Sequence, residues 1–399
     1  MILAHCADLH IDETRRLSDT EHVLSTLIGG AKEAAVDLIV VAGDWFERDS
    51  TEAERRVMSD FLMAATEIAP VVGIKGNHEI SFDRHIMSRQ RTKFPVMLYD
   101  RPTLIGESPI ITTPHGAVGV VCLPWFTRAG VAARLAASSP SDEITFAVNQ
   151  AATSLLMGAA MEVQRFHAAG AIAILVHHGT VTGAKFSSGF VPRGLTVGFS
   201  AEQLAETGAD YVALGHYHDG ETNVWLDGRV AYSGSTERCD FGEAESKGFR
   251  LVTFDGGRFT RNEFIELPAR RIELLEADWT DPVNPIPLAE TITQFHRDFN
   301  AGQLTGALVR FRYRVRAQDL HLVDEEAIRR ALIEAGAHEV KVEAVVEAES
   351  RVRCEAITTA ETLWDEVVAW CGATGKELDA EQRVRLREKL AEVEAGGGA

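Results

Sequence analysis

The chain has 399 residues, 45% hydrophobic and 25% charged, with a formal net charge of −19. That length can bury a large core and is expected to divide into two or more domains, while the charge argues against a protein that grips DNA mainly through a basic surface. No apolar run of about 18 residues or basic leader stands out, and the five scattered cysteines contain no CxxC pair, so a reduced, cytoplasmic protein without a membrane span, disulfides or a zinc knuckle is expected.

Residues 2–5 form a short apolar strand, and helical spacing follows over 20–35. The β-branched run 37–42 (DLIVVA) predicts a buried strand. A helix is expected over 51–68, with Thr51 as its cap and Glu54 three residues on, and a strand over 70–74. A long amphipathic helix over 142–167 leads to a strand over 171–176, a short helix over 200–207 and a strand over 210–214. Apolar strands alternating with helices imply sheets covered by helices, an α/β layered class. From 223 to 267 the pattern changes to hairpins, with Asp-Gly turn signals at Asp227-Gly228 and Asp255-Gly256. A boundary falls near Pro268, and the proline-rich 281–287 reads as a linker. A helix (288–299), a strand (307–316), a helix (324–335) and a strand (339–346) then make a small α+β unit. Two closing helices, 362–371 and 380–393, flank a Gly-Ala-Thr-Gly turn.

Five polar motifs stand where apolar runs stop: Asp8-Leu9-His10, Gly43-Asp44, Gly76-Asn77-His78-Glu79, His177-His178-Gly179 and Gly215-His216-Tyr217-His218. Loops at the carboxyl ends of strands in an open α/β sheet share one edge, so these residues can converge. Neutral imidazoles, carboxylates and an amide are the donor inventory of two divalent ions sharing one carboxylate, an arrangement that activates water against a phosphate ester. The mixed nitrogen and oxygen set suits Mn²⁺, Fe²⁺ or Zn²⁺ better than Ca²⁺.

This order of motifs resembles the calcineurin-like metallophosphoesterases over about residues 1–268. The segment 2–10, Leu123-Pro124-Trp125, residues 233–242 (SGSTERCDFG) and residues 323–342 (VDEEAIRRALIEAGAHEVKV) are similar to the SbcD-type DNA repair nucleases. The resemblance implies a four-layer α-β-β-α sandwich over 1–268, a small α+β capping domain over 269–355 and a helical partner-binding segment over 360–395. It implies one metal on Asp8, His10, Asp44 and His218, and a second on Asp44, Asn77, His177 and His216, with Asp44 bridging. It favours His177, the first residue after the expected strand, over His178. His78 takes the role of the non-ligand histidine that contacts the scissile phosphate. Glu79 is either a hydrogen-bond support for a ligand or a solvent-facing residue. Two positions depart from the family pattern: Glu47 stands where His or Asp is common, and Asp12 where Gly is usual.

The implied activity is 3′–5′ exonuclease and single-strand or hairpin endonuclease cleavage of DNA in repair and recombination, with Mn²⁺ preferred. The implied partners are a second copy of the chain and an SbcC-type SMC-like ATPase, at the nucleoid. The ATPase itself is absent from this sequence, which has no GxxxxGK[ST] motif. The rival readings are a stand-alone phosphoesterase and a non-catalytic scaffold for the ATPase. Arg310, Arg312, Arg314 and Arg316 alternate along one expected strand and share a face, which is either solvated or a phosphate-contacting surface. Arg84 and Arg89 follow the Asn77-His78 loop with the same two readings.

Overall fold

The computed structural model describes residues 1–79, 87–133, 140–187, 197–281, 287, 289–293, 304–347 and 355–396. Two six-stranded sheets dominate. The first runs, in spatial order, Arg258–Glu266, Gly248–Asp255, Ile2–Cys6, Leu38–Val41, Val71–Ile74 and Val96–Tyr99. The second runs Val224–Trp225, Val230–Tyr232, Tyr211–Gly215, Ile172–His178, Gly116–Leu123 and Ile110–Thr113. Their central strands pair in parallel; one edge of the first sheet and both edges of the second pair antiparallel, while the edge strand Val96–Tyr99 pairs in parallel.

Side-chain alternation along these strands builds the layers. On Leu38–Val41, Ile39 and Val41 face the helices Leu17–Glu33 and Glu52–Thr66, while Leu38 and Val40 face the other sheet. On Ile172–His178, Ile172, Ile174 and Val176 face the first sheet, and Ala173 and Leu175 meet the helix Ser141–Ala168. Three apolar interfaces therefore separate four layers in the order α-β-β-α, as expected. The all-apolar LIVV run of the second strand follows from burial on both faces.

The expected elements are present with shifted ends. Thr51 accepts the Glu54 amide and Glu54 caps back, and this box contributes about 1 kcal/mol to its helix. The strand after the long helix continues through His178 rather than stopping at Val176. The strands Val96–Tyr99, Ile110–Thr113, Gly116–Leu123 and Ile272–Trp279 were not anticipated. Ser141–Ala168 is long and apolar enough, by length and composition, to cross a membrane, contrary to the expectation that no such run exists. In the fold its Val148, Ala159, Val163 and Phe166 are buried, the last three in the core of the second sheet.

Chain contacts group residues 1–275, 292–311 and 326–342 into one compact unit, and 276–291, 312–325 and 343–399 into another. A three-stranded sheet has the order Ile272–Trp279, Leu308–Arg316, Glu339–Glu347. Along Leu308–Arg316 the odd positions are buried, and the four arginines occupy the less buried face. The closing helices are Leu363–Thr374, capped by Thr362, and Ala380–Gly396. The linker expected at 281–287 and the helix expected at 288–299 lie largely outside the described residues, though 289–293 are helical.

Candidate metal centre

Four of the five motifs reach the cluster from loops that follow strands inside the first compact unit, and the fourth in chain order, His177-His178, reaches it from the last residue of its strand. Ile2–Cys6 leads to Asp8 and His10, Leu38–Val41 to Asp44, Val71–Ile74 to Asn77 and His78, and Tyr211–Gly215 to His216 and His218. Backbone strain is concentrated here. Of eight non-glycine residues with a left-handed φ among the described residues, four are Asp8 (52°), His10 (42°), Asp44 (51°) and His216 (110°). Cross-loop hydrogen bonds hold these turns: Asp8 N–H donates to Gly43 O at 3.0 Å, and His10 N–H to Asp44 O at 3.1 Å. The His216 amide donates to the Asp8 carboxylate at 3.0 Å.

Asp44 sits at the centre. Its Oδ1 accepts the amides of Asn77 (2.8 Å) and His78 (3.0 Å). Its Oδ2 lies 3.2 Å from His178 Nε2, 3.8 Å from His10 Nε2 and 4.0 Å from His78 Nε2. Burial opposes the charge on Asp44, but His178, His10 and His78 outweigh it and hold the carboxyl well below its ordinary range. Asp8 is pushed up by burial, an effect that His178 and His218 oppose in part. Gly43 and Gly76 make the approach possible. A Cβ on Gly76 would stand 2.0 Å from Asp44 Oδ1, and one on Gly43 2.3 Å from His178 Nδ1.

The histidines are oriented from outside the cluster. His178 Nδ1 pairs with Ala42 O at 2.6 Å, and its Nε2 lies 3.0 Å from Asn77 Oδ1. His218 Nδ1 meets Glu243 Oε1 at 2.6 Å, and His10 Nδ1 lies 2.8 Å from Glu47 Oε2. Those carboxylates favour the proton on each Nδ1, which leaves the two Nε2 atoms, 3.1 Å apart, to share one proton or one cation. Two lone pairs at that distance repel unless a proton or a cation stands between them. His216 is kept neutral, lowered to about 3 by burial and by His178, and its ring packs against Trp125. His10, His218 and Cys239; His10, Asp44 and His78; and Asp44, His178 and His216 each place one donor atom per residue within 4.8 Å of the others. Hard carboxylates and imidazole nitrogens converging on shared positions fit divalent cations of the Mn²⁺, Fe²⁺ or Zn²⁺ class.

His177 does not join this set, and the expectation that it does is corrected. Because the strand runs through His178, strict alternation turns 177 and 178 to opposite faces. His178 continues the inward face of Ile174 and Val176. His177 points into the helical layer, where Nδ1 pairs with Leu123 O at 2.9 Å and the ring meets Phe199. Burial lowers it to about 4.

Other residues were missed or left open in the sequence. Glu79 is buried. Its Oε1 accepts the Trp45 amide and its Oε2 the Gly76 amide at 3.0 Å, so it ties the Asp44 loop to the Asn77 loop. Burial and then Asp44 push its carboxyl up to about 7. Glu47 also presents its carbonyl O to His78 Nδ1 at 2.9 Å. Asp12 is buried and caps its own turn through the Thr14 amide at 2.9 Å, with Arg48 2.8 Å away. Cys239 lies in the SGSTERCDFG segment and Glu243 directly follows it, and their residue types alone carried no site signal. Arg84 lies outside the described residues, Arg89 is exposed, and Arg312 is 3.9 Å from Glu343.

A family model described as calcineurin-like phosphoesterase matches residues 1–220. Among solved structures, the chain is similar to GAP50, the anchor in the inner membrane complex of Plasmodium. The two are 15% identical with a TM-score of 0.39, over 67% of this chain and 89% of that one. It is also similar to a dimetal phosphatase from Danio rerio, 12% identical with a TM-score of 0.39, over 67% of this chain and 98% of that one.

Proposed function

The chain belongs to the calcineurin-like phosphoesterase family, a family of metal-dependent phosphoester hydrolases, and from that premise we propose that it is a two-metal DNA phosphodiesterase, the nuclease subunit of an SbcCD-type complex. One observation carries the hydrolytic part. Asp44 stands between His10 and His218 on one side and Asn77, His178 and His216 on the other, with the Asp8 carboxylate accepting the His216 amide. One ion would be held by Asp8, His10, Asp44 and His218, the other by Asp44, Asn77, His178 and His216. Bound there, two divalent cations supply Lewis acidity toward phosphoryl oxygens and lower the pKa of water.

The protein's own groups complete the site. Glu47 and Glu243 keep the His10 and His218 rings turned inward. Glu79 fixes the distance between the two loops that meet at Asp44. His78 is a third exposed at its side chain and lies on the open side of the cluster. With Nδ1 at the Glu47 carbonyl, its Nε2 faces the cluster and, when protonated, donates to a phosphoryl or leaving oxygen.

Support for DNA as the substrate comes from the SGSTERCDFG and 323–342 segments and from the arginine face of Leu308–Arg316. The same reading assigns residues 360–395 to an SMC-like ATPase, pairs two copies of the chain, prefers Mn²⁺ and places the protein at the nucleoid. A second reading, a stand-alone phosphoesterase acting on nucleotides or other small phosphoesters, is favoured by the formal charge of −19. Purified protein with Mn²⁺ is assayed on hairpin DNA, blunt duplex and bis-p-nitrophenyl phosphate, as wild type and as His78→Ala. The nuclease reading expects DNA cleavage lowered about 10²–10⁴-fold in His78→Ala with metal retained. Brisk hydrolysis of the small ester with both DNAs intact would establish the second reading instead.

A further inference from the structure

We infer that Cys239 is a thiolate ligand of the half-site formed by His10 and His218, so that this half of the centre prefers a softer cation, Zn²⁺ or Fe²⁺, over Mn²⁺. The inference rests on the cluster being a metal centre, assigns it a sulfur donor, and departs from the Mn²⁺ preference of the proposed function at this half-site.

The two imidazoles converge on one position that a proton or a cation can fill. Their Nε2 atoms face each other at 3.1 Å while Glu47 and Glu243 occupy the outer nitrogens. The Cys239 Sγ and one nitrogen from each ring lie within 4.8 Å of one another, close enough that a small closure of the loop brings all three onto one ion. The loop bearing the thiol is tied to the same support as its neighbour. Glu243 Oε1 holds His218, and Glu243 Oε2 accepts the Cys239 amide at 3.0 Å, so one carboxylate orients both donors. Lys247, fully buried, anchors that carboxylate at 2.6 Å. Arg238 fastens the loop through the carbonyls of Glu243, Glu245 and Arg270.

The sulfur already meets the His218 ring, and burial holds the thiol above its ordinary range, so the cation has to displace the thiol proton. The sulfur's contact with Glu237 O is 3.7 Å long, a weak hydrogen bond. Cys6 and Cys122, by contrast, are packed in apolar cores. As sulfur takes the cation, the thiol proton passes to solvent and no redox partner is needed. A thiolate selects softer ions than a set of carboxylates and imidazoles does.

The test uses the full chain loaded with Co²⁺ under anaerobic conditions. Wild type is expected to show visible ligand-field bands together with a near-ultraviolet thiolate-to-cobalt charge-transfer band. Cys239→Ser and Cys239→Ala should lose the charge-transfer band and keep the visible ones, and Cys371→Ser should keep both. By competition titration, Cys239→Ser should lower Zn²⁺ affinity about tenfold or more while Mn²⁺ affinity changes little. Visible bands without charge transfer in wild type, or a charge-transfer band undiminished in Cys239→Ser, overturn the thiolate and leave the metal centre standing. Failure of wild type to take up cobalt overturns both.

Discussion

Asp44 and His178 meet with Oδ2 3.2 Å from Nε2, although Asp44 follows a strand of one sheet and His178 ends a strand of the other. His177, its neighbour in sequence, faces the helical layer. The two histidines should therefore separate cleanly. His178→Ala is expected to lower the affinity of the second ion by about a hundredfold and to abolish phosphodiester hydrolysis. His177→Ala should bind metal normally, yet lose about 1–3 kcal/mol of stability because the Leu123 carbonyl is left without its partner. Metal titration and urea unfolding read the two effects, and equal loss of metal in both variants would contradict the placement.

Lys247 lies 2.6 Å from Glu243 and 2.8 Å from Glu245, and is fully buried. Removing one partner of a buried ion pair leaves the other charge uncompensated. Lys247→Met should therefore cost about 3–5 kcal/mol in denaturant unfolding. Glu243→Gln frees His218 to rotate, and metal affinity should fall about ten- to a hundredfold. Because the residues touch, the double variant should cost less stability than the two single losses added. Strict additivity would show that they act separately.

The pH dependence of metal binding has a definite sign. Burial alone lowers the His178 imidazole, but Asp44 and Asp8 outweigh it and hold the metal-free ring up to about 9. Glu243 and Cys239 likewise outweigh burial at His218, which stands well above its ordinary value. Both folded values exceed the unfolded one, about 6.5. This stability is therefore complete below about pH 6.5 and is lost as pH rises through the folded values. A cation replaces these protons, so its affinity should rise about tenfold per pH unit for each proton displaced. The gap in melting temperature with and without chelator should widen from about pH 7 to 9. A constant gap over that window would show that the histidines are not displaced by metal.

The layered fold was legible because burial on both faces leaves short, continuous β-branched apolar runs: LIVV and IAILV read as interior strands. Glycine-flanked polar residues at strand ends were legible for a steric reason, since Gly43 and Gly76 stand where no side chain fits. The histidine choice was not, because it turned on where one strand ends, and a shift of two residues decided which ring faces inward. Glu79, Glu243 and Cys239 were opaque for another reason. Their roles are contacts with distant residues or with backbone amides, and no local spacing marks a carboxylate as the one beneath a histidine.

Gly76 tests whether the centre depends on close approach. Its backbone lies against Asp44, and an added Cβ would fall 2.0 Å from Oδ1 and 2.3 Å from the Asp44 amide nitrogen. Those atoms lie in the strained turn at φ 51°, which the Asn77 and His78 amides help to hold. In Gly76→Ala either the Asn77 loop retreats or the Asp44 carboxylate swings away, and each breaks the shared ligand. Hydrolysis and binding of the second metal should fall by about a hundredfold or more, since displacement by an ångström is enough to cost that much. The two sheets and their three apolar interfaces lie away from the substitution, so far-ultraviolet circular dichroism should match wild type. A Gly76→Ala protein with full activity would mean that Asp44 does not need its present position.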